Sequence, residues 1–252
     1  MTITLLQLDI VWACPQANRE QAEQAILAAP CSDLYVLPEM WSTGFATEPD
    51  GIAEKDGASL GWMRQMAARL DAAIAGSIAT EADGRFYNRF YFVKPTGETV
   101  YYDKHHLFTY GGEHRRYTAG RQKVITEWRG VRFLLQVCYD LRFPIFARNA
   151  AEGPDAYDVA LYVASWPTSR RAPWDTLLRA RATENQCYVC GVDRVGTDPA
   201  CDYNGGTALI DAYGKTVAAC PDGKACSLTA TLDMDGLRAF RKKFPVLEDR
   251  DY

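Results

Sequence analysis

The stretch that most constrains the fold of this chain is residues 131–144, where the pattern of a buried strand ends abruptly at reactive side chains. In its first half, 131–137, apolar and polar residues alternate and an apolar run follows, which predicts a strand buried in a core. The strand pattern stops at Cys138, and Asp140 and Arg142 follow soon after. Core strands of α/β proteins often end at reacting groups, although free cysteine is also among the most buried residue types. Alone, this stretch leaves open whether Cys138 is a nucleophile or a structural thiol.

Short strands alternate with helices along much of the chain, and two hairpins interrupt the alternation. Apolar periodicity and turn residues predict strands at 3–10, 34–37, 73–80, 86–94, 100–103, 131–137, 159–164, 187–193, 207–210, 215–219 and 227–233. They predict helices at 18–28, 59–70, 144–151, 174–185 and 237–244, the third of them opening at Pro144. No linker, repeat or low-complexity tract divides the chain. We therefore expect one α/β domain over residues 1–252, with a mixed sheet or two sheets and helices on the outside.

The charge balance excludes several classes of partner. With 28 Lys and Arg against 32 Asp and Glu, the net charge is -4, which offers no basic field for nucleic acid or an anionic membrane. No run approaches the roughly 18 apolar residues of a transmembrane helix, and Asp9 interrupts the first apolar run, unlike a signal peptide. We expect a cytoplasmic protein that acts on a small molecule, with its eight cysteines as free thiols.

Cys187 and Cys190 have the spacing of a redox or zinc motif. They lie in a strand pattern, however, and residues three apart in a strand face opposite sides of the sheet. No histidine lies near them in the sequence. A metal site or a dithiol is therefore disfavoured here, although a thiol redox protein stays open as an alternative.

Three apolar strand patterns stop at a chemically reactive residue: Glu39, Lys104 and Cys138. Acyl transfer to a thiol needs a base that takes its proton, a cation or amide N–H group for the developing oxyanion, and a proton for the leaving amine. The three residues together could supply all of these. Separately, Glu39 could be the partner of an arginine and Lys104 a solvated lysine at a strand end.

Other hydrolase arrangements fit the sequence less well. Gly-x-Ser-x-Gly, His-Glu-x-x-His, the phosphate-binding P-loop and Gly-x-Gly-x-x-Gly are all absent. A Cys–His pair would need one of the three histidines as its base, and the sequence leaves this open for His105, His106 and His114. These residues indicate a cysteine hydrolase that needs neither a metal nor a cofactor.

Three segments resemble the signature motifs of the nitrilase-type carbon–nitrogen hydrolases, and they occur in that family's order. They are Leu-Pro-Glu-Met at 37–40, Tyr-Asp-Lys-His-His-Leu-Phe at 102–108 and Val-Cys-Tyr-Asp-Leu-Arg-Phe-Pro at 137–144. The resemblance covers essentially the whole chain. It implies a four-layer αββα sandwich with mixed sheets, usually paired as a homodimer. It also implies that Glu39 is the general base, Lys104 the oxyanion-stabilising lysine, Cys138 the nucleophile and Glu113 an additional glutamate beside this triad.

Within this superfamily, the residues after the cysteine resemble the omega-amidase branch, which hydrolyses the terminal amide of 2-oxoglutaramate and 2-oxosuccinamate. Ala-Ser-Trp-Pro at 164–167, the segment 179–186 and Asp-Arg-Val-Gly at 193–196 resemble the same branch. Ser165 stands where most relatives carry asparagine, which changes the volume of the pocket. The implied mechanism passes through a cysteine thioester, with the backbone N–H of Tyr139 beside Lys104 at the oxyanion.

The substrate of that branch carries a carboxylate, for which arginine is the best bidentate partner. We expect one of four arginines outside the nucleophile segment to bind it, and these are Arg115, Arg116, Arg170 and Arg171. Trp41 and Trp166 are expected to wall the pocket, together with Ser165. Asp140 and Arg142 are expected to form an internal ion pair that shapes the nucleophile turn. Arg142 is also expected to bind the substrate, as is Arg115 among the four arginines. The competing interpretations are an amidase for another small linear amide, a carbamoylase, and a catalytically silent dimeric binding protein.

Overall fold

Fourteen strands and four helices form the fold, in a computed structural model that describes residues 1–250. The strands are β1 (Thr2–Gln7), β2 (Leu34–Val36), β3 (Ala73–Ala82), β4 (Arg85–Val93), β5 (Thr99–Asp103), β6 (Ile125–Trp128), β7 (Val131–Val137), β8 (Val159–Ala164), β9 (Tyr188–Asp193), β10 (Val195–Thr197), β11 (Asp202–Asn204), β12 (Ala208–Ile210), β13 (Thr216–Ala219) and β14 (Cys226–Thr231). The helices are α1 (Pro15–Ala28), α2 (Ala58–Leu70), α3 (Arg171–Asn185) and α4 (Met234–Lys243).

The strands form two six-stranded mixed sheets and one small ribbon. The first sheet has the order β14-β1-β2-β3-β4-β5, parallel between β1, β2 and β3 and antiparallel elsewhere. The second sheet has the order β13-β12-β9-β8-β7-β6, parallel between β7, β8 and β9 and antiparallel elsewhere. Strands β10 and β11 pair separately. Each sheet thus has a parallel centre, which requires crossover segments that pack on its face.

Alternation along each strand explains why the two sheets stack and why helices cover them. In β7, Phe133, Leu135 and Val137 face the core between the sheets. Leu134 of the same strand faces the opposite core, where α3 and the segment that follows the nucleophile turn cover the second sheet. Helices α1 and α2 cover the outer face of the first sheet. These layers form the αββα sandwich with mixed sheets that the family resemblance implies.

The helix predicted at 144–151 is wrong. A 3-10 turn, Cys138–Arg142, forms directly after β7, and an irregular segment follows it. Phe143 ends the turn with φ -116° and ψ 88°, outside the helical region that is disfavoured for a residue before proline. Asn149 is then fixed by side-chain hydrogen bonds to backbone groups of Tyr157 and Asn185. Those contacts hold residues 144–151 against α3 and β8 without a helix of their own.

The two cysteines with redox-type spacing lie on opposite sides of the second sheet. Cys187 belongs to the core under α3, and Cys190 to the core between the sheets. Burial raises the pKa of the Cys187 thiol to about 12 and also raises the pKa of Cys190. Two protonated thiols on opposite faces cannot form a dithiol motif, as the strand pattern indicated.

No helix in the described part of the chain is long and apolar enough to cross a bilayer.

Candidate active site

The two sheets supply side chains that meet at one place. Glu39 follows β2 and Lys104 follows β5 directly, both in the first sheet. Cys138 follows β7 and Ser165 follows β8, both in the second sheet. The backbone N–H of Ser165 donates to Glu39 Oε2 at 2.8 Å, which joins the two sheets at this point. The polar residues at the strand ends therefore form one site, as the sequence predicts for Glu39, Lys104 and Cys138.

Lys104 lies between two carboxylates, all three side chains being inaccessible to solvent. Its Nζ donates to Glu39 Oε1 at 2.9 Å, to Glu113 Oε2 at 2.9 Å and to Glu113 Oε1 at 3.2 Å. Lys104 is therefore a buried cation with its ion-pair partners in place. The solvated strand-end lysine that the sequence left open is wrong.

The segment that carries Glu113 is fastened along its length to the first sheet. Phe108 N–H donates to Glu113 Oε2 at 2.6 Å, and Gly120 N–H donates to the carbonyl of Lys104 at 3.0 Å. A Cβ on Gly120 would lie 2.0 Å from the carbonyl oxygen of Asp103, so this close approach requires glycine. Glu113 is thus a fixed part of the site and not a solvated acid on a loop.

Burial and charge act against each other in this cluster. Burial disfavours the charge of Lys104, but Glu113 and Glu39 outweigh it and raise the pKa of the lysine. Burial also raises the pKa of Glu113, and the lysine only partly offsets that shift. Two carboxylates share one ammonium group, so the cluster has an excess of negative charge beside the nucleophile.

Asn88 completes the cluster, and sequence reasoning missed it. It lies within β4, is fully buried, and its Nδ2 donates to Glu39 Oε1 at 2.7 Å and to Glu113 Oε1 at 3.0 Å. The other site residues lie at or beyond strand ends, whereas Asn88 lies in a strand interior. One signal was present, because asparagine is depleted in strands and Asn88 stands among aromatic residues in the stretch 86–90.

The nucleophile turn is held by Asp140. Its Oδ2 accepts from the backbone N–H of Val137 at 2.9 Å and from the hydroxyl of Tyr102 at 2.8 Å, and its Oδ1 accepts from His106 N–H at 3.0 Å. Cys138 has a φ of 46°, a left-handed conformation that costs energy for a residue other than glycine. The Asp140 contacts supply the constraint that holds this conformation.

The predicted ion pair between Asp140 and Arg142 is wrong. Asp140 is fully buried and its oxygens are used by Val137, Tyr102 and His106. Arg142 instead extends over the ring of Trp166, with Cζ 5.1 Å from the ring centroid. Two residues of a single 3-10 turn project to different sides, so their short separation in sequence does not bring them together.

Cys138 is a half-buried residue that lines the pocket. Burial and then the negative charge of Glu39 raise its pKa well above the ordinary value, while Lys104 acts in the opposite direction. The thiol is therefore neutral near pH 7. A neutral thiol becomes a nucleophile only when a base takes its proton, and the Glu39 carboxylate lies beside it.

Asp193, at the end of β9, holds the segment that follows β8. Its Oδ1 accepts from the backbone N–H of Trp166 at 2.8 Å and from that of Arg194 at 2.8 Å. The indole Nε1 of Trp166 donates to the carbonyl of Arg170 at 2.7 Å. These contacts fix Ser165 against Glu39 and present the Trp166 ring to the pocket.

Cys138 opens into a pocket of about 490 Å³, a volume in the usual range for small-molecule sites. Its walls are largely aromatic, and they include Trp12, Phe45, Phe108, Tyr110, Tyr139, Trp166 and Tyr203. Arg142 and Arg170 also line it, and within residues 1–250 neither forms a salt bridge. Arg170 lies over the ring of Phe108 at 5.2 Å. The pocket thus combines an apolar wall with two cations that are free to pair with an anion.

The prediction that Trp41 walls the pocket is wrong. Met40, with a φ of 43°, turns the chain after Glu39 so that Trp41 enters the core under α2, fully buried and 5.0 Å from the ring of Trp62. Gly76 makes room for it, since a Cβ there would lie 3.1 Å from the indole. Trp166 does line the pocket, together with Ser165 and Tyr139.

Three of the four arginine candidates lie outside the pocket lining. Arg115 is exposed on the 3-10 turn that begins with Glu113. Arg116 pairs with Glu48 and Asp50, and Arg171 pairs with Asp175 and Asp222. Only Arg170 of the four lines the pocket. Assigning Arg115 to substrate binding was therefore wrong, because its place in sequence near Glu113 does not turn it toward the thiol.

Comparison with known proteins gives consistent matches along the chain. The omega-amidase YafV of Yersinia enterocolitica is 43% identical over 252 residues, which is 100% of this chain and 97% of that protein. The 2-oxoglutaramate amidase of Bacillus subtilis is 33% identical over 255 residues, covering 98% of this chain and 96% of that protein. XC1258 from Xanthomonas campestris, a CN-hydrolase superfamily protein whose crystal structure has an arsenic adduct in the active site, superimposes with a TM-score of 0.96 at 41% identity, covering 100% of this chain and 97% of that one.

The family model described as carbon–nitrogen hydrolase matches residues 2–242. This range includes both sheets and every residue of the site described above. The match confirms the resemblance of the three sequence motifs, and the solved relative confirms the sandwich fold. The chain belongs to the carbon–nitrogen hydrolase family.

Proposed function

We propose that this protein is an omega-amidase that hydrolyses the terminal amide of small keto-acid amides, such as 2-oxoglutaramate and 2-oxosuccinamate, to the acid and ammonia. The observation that carries the proposal is the buried set of Glu39, Lys104 and Glu113 beside a neutral thiol at Cys138. The names of two relatives, an omega-amidase and a 2-oxoglutaramate amidase, support the same substrate class.

The first half of the reaction forms a thioester. Glu39 takes the proton of the Cys138 thiol as sulfur attacks the amide carbonyl. Lys104 and the backbone N–H of Tyr139 stabilise the oxyanion, and each such donor contributes about 2.7–4 kcal/mol in comparable sites. The carbon–nitrogen bond then breaks, and Glu39 gives its proton to the nitrogen, which leaves as ammonia.

The second half releases the acid. Water attacks the thioester carbonyl while Glu39 takes its proton, and Glu113 positions that water. The tetrahedral intermediate collapses with loss of the Cys138 sulfur, which recovers its proton from Glu39. No step requires a metal or a redox partner, because every proton that leaves one group is taken by another at the same site.

The surroundings of the histidines favour Glu39 over a Cys–His pair. His105 and His106 are stacked on Phe146 and Phe143, with ring centroids 4.2 Å and 3.8 Å apart. The Nδ1 of His105 contacts the carbonyl of Gly120 at 2.7 Å, and that of His106 contacts Asp140 at 2.8 Å. Both rings are thus fixed by contacts outside the pocket lining, and His114 is exposed.

Arg142 and Arg170 are the candidates for binding the carboxylate of the substrate. Both line the pocket with Cys138, and neither has an acidic partner among the described residues. Arg142 is the better candidate, because it belongs to the same 3-10 turn as the nucleophile and lies over Trp166. Ser165 shapes the pocket beside this wall, and its side chain is shorter than the asparagine of most relatives.

Ammonia release from a panel of amides tests the proposal. We expect 2-oxoglutaramate to have a higher kcat/KM than glutamine, asparagine or an N-carbamoyl amino acid. Equal rates across the panel would contradict the substrate assignment and favour an amidase for another linear amide or a carbamoylase.

Arg142→Gln should lower kcat/KM for 2-oxoglutaramate by about 10–100-fold, the value of a charge-assisted hydrogen bond, and should affect the uncharged butyramide far less. Arg115→Gln is the matched control, since that arginine lies outside the pocket.

A homodimer is part of the proposal, as the assembly that the family resemblance implies. Large apolar side chains on the surface support it, since Ile145, Tyr213 and Phe244 are 72%, 61% and 59% exposed. Light scattering coupled to size exclusion should give the mass of two chains. The mass of a single chain at micromolar concentration would contradict it.

A further inference from the structure

Asn88 is a fully buried amide in the interior of β4, and none of the reaction steps above uses it. Its backbone carbonyl accepts from Lys104 N–H at 3.0 Å, so it already fixes the start of the segment that carries the lysine. Its side chain points to the same cluster. A polar residue in a strand interior, surrounded by aromatic neighbours, needs a reason to be there.

The side-chain amide connects the two carboxylates that flank the lysine. Its two Nδ2 hydrogens go to Glu39 Oε1 at 2.7 Å and to Glu113 Oε1 at 3.0 Å. Lys104 Nζ donates to these same two oxygens, at 2.9 Å and 3.2 Å. Asn88 and Lys104 therefore bridge one pair of oxygens from two sides, and together they fix the orientation of each carboxylate.

This arrangement distinguishes the two oxygens of Glu39. An ionised carboxylate has about two acceptor positions on each oxygen. Oε1 uses both, for Asn88 and Lys104, whereas Oε2 uses one, for the backbone N–H of Ser165. The remaining acceptor position is on Oε2, and it is the one available to the proton of the Cys138 thiol.

We propose that Asn88 is a positioning residue that holds Glu39 with Oε2 turned toward the thiol and holds Glu113 at a fixed distance from Glu39. The inference rests on the proposed amidase mechanism, in which Glu39 is the base. Its amide is suited to this task because it donates two hydrogen bonds without adding charge. A second cation in its place would neutralise both carboxylates and weaken the base, and a third carboxylate would repel them.

Asn88→Ala removes both hydrogen bonds and leaves Lys104 to hold the two carboxylates alone. We expect kcat for 2-oxoglutaramate to fall about 10²-fold, the usual cost of a base displaced by about 1 Å, with KM changed much less. The acid limb of the kcat/KM profile should move to higher pH, because the hydrogen bond from Asn88 lowers the pKa of Glu113 and the substitution removes it. Tyr117 and Asp193 are the other titratable groups that act on these carboxylates, and the substitution leaves both in place.

Alkylation of Cys138 by iodoacetamide measures the displacement of Glu39 without any amide substrate. Glu39 raises the pKa of the thiol, so a displaced Glu39 should move the alkylation midpoint to lower pH in Asn88→Ala. If the wild-type protein alkylates as expected but fails to hydrolyse 2-oxoglutaramate, the substrate assignment fails and the role of Asn88 is still decided by this shift. An unchanged midpoint together with an unchanged kcat overturns the inference.

Asn149→Ala is the matched control. That residue is also fully buried and bonded through its side chain, but to backbone groups of Tyr157 and Asn185 under α3. It should lower Tm and leave both pH profiles unchanged. Asn88→Ser is the second variant for the case that Asn88→Ala does not fold, because its hydroxyl is small, uncharged and able to donate one hydrogen bond. Its kcat should fall less than that of Asn88→Ala. If either Asn88 variant lowers Tm but leaves kcat and both pH profiles unchanged, as Asn149→Ala should, Asn88 has a structural role only.

Discussion

The two sheets have similar topology but contribute opposite kinds of residue to the site. The first sheet supplies Glu39, Asn88 and Lys104, which are charged or strongly polar and have no exposed surface. The second sheet supplies Cys138 and Trp166, which face the pocket. The closed side of the site, formed by the first sheet, is buried and rich in charge. The open side, formed by the second sheet, is accessible and largely apolar.

The difference follows from what each side has to do. Buried charges persist only when they are paired and hydrogen-bonded, and every contact that satisfies them also fixes their position. A nucleophile must instead be reached by the substrate, so its side of the site has to remain open. The contact between Ser165 N–H and Glu39 Oε2 joins the two sides. Substitutions on the closed side should therefore change chemistry, and those on the open side, apart from the nucleophile Cys138 itself, should change access or binding.

Cys138→Ala tests the open side at its centre and should have the largest effect. Ammonia release should fall by at least about 10⁴-fold, as for the loss of a nucleophile in comparable hydrolases. Stability should change little, because Asp140 holds the turn through the backbone N–H of Val137 and not through the thiol. Mass spectrometry of the wild-type protein during turnover should detect an acyl adduct on Cys138. Full activity in the variant, or a thiol that stays unmodified, would contradict the nucleophile assignment.

Glu39→Gln tests the closed side and should separate two effects of one carboxylate. Loss of the general base should lower kcat by about 10²–10⁴-fold. The thiol, however, should become more acidic, because the negative charge of Glu39 raises its pKa and the amide has no charge. Iodoacetamide alkylation between pH 7 and 10 should therefore show a midpoint at lower pH than in the wild type. Glu81→Gln, on an exposed ion pair with Lys55, is the control. A midpoint that stays or rises would mean that Glu39 does not lie beside the thiol.

Lys104→Met tests whether the closed side depends on its single cation. Activity should fall about 10²–10³-fold with the loss of an oxyanion donor, and the free energy of unfolding should drop by about 3–5 kcal/mol because two buried carboxylates lose their partner. Burial already raises the pKa of Glu113 above its unfolded value of 4.5, and the lysine opposes that shift. A group with a raised folded pKa stabilises below the unfolded pKa and loses this contribution as pH rises through the folded pKa.

The stability loss in Lys104→Met should therefore be smaller at pH 5 than at pH 8, which urea denaturation at the two pH values can measure. Lys55→Met, at an exposed lysine paired with Glu81, gives the baseline for losing a surface ion pair. A loss that is independent of pH would show that Glu113 does not become protonated when the cation is removed.

The two sides also differ in how far the sequence predicts them. Glu39, Lys104 and Cys138 each follow an apolar strand directly or closely, and a strand end is visible in a sequence, so their convergence could be expected. The resemblance to a family was needed for Glu113, which lies in an irregular segment. The sequence does not predict Asn88, because it lies within a strand, where alternation indicates packing and not chemistry.

The pocket wall was predicted less well, for a physical reason. Its members come from turns and irregular segments whose direction is set by contacts distant in sequence. In the sequence, Arg115 and Arg170 are equivalent candidates for the substrate carboxylate. Of the two, only Arg170 lines the pocket, where it lies over Phe108. Trp41 follows a strand as Trp166 does, and the space left by Gly76 admits it to the core. Periodicity describes which face of an element is apolar and carries no information about such turns.

The two tryptophans provide the last and smallest test of the comparison. Trp41 is fully buried against Trp62 and, among the described residues, its Nε1 has no hydrogen-bond partner. Trp41→Phe should lower the free energy of unfolding by about 1–3 kcal/mol, as for an ordinary core substitution, and leave kcat and KM nearly unchanged. Trp166→Phe removes the Nε1 bond to the carbonyl of Arg170 and shrinks the surface under Arg142. It should raise KM several-fold, because a bidentate cation that loses its stacking surface is less well oriented. Steady-state kinetics and thermal unfolding of both variants decide the matter, and a KM effect in Trp41→Phe equal to that in Trp166→Phe would show that the division between a closed and an open side is wrong.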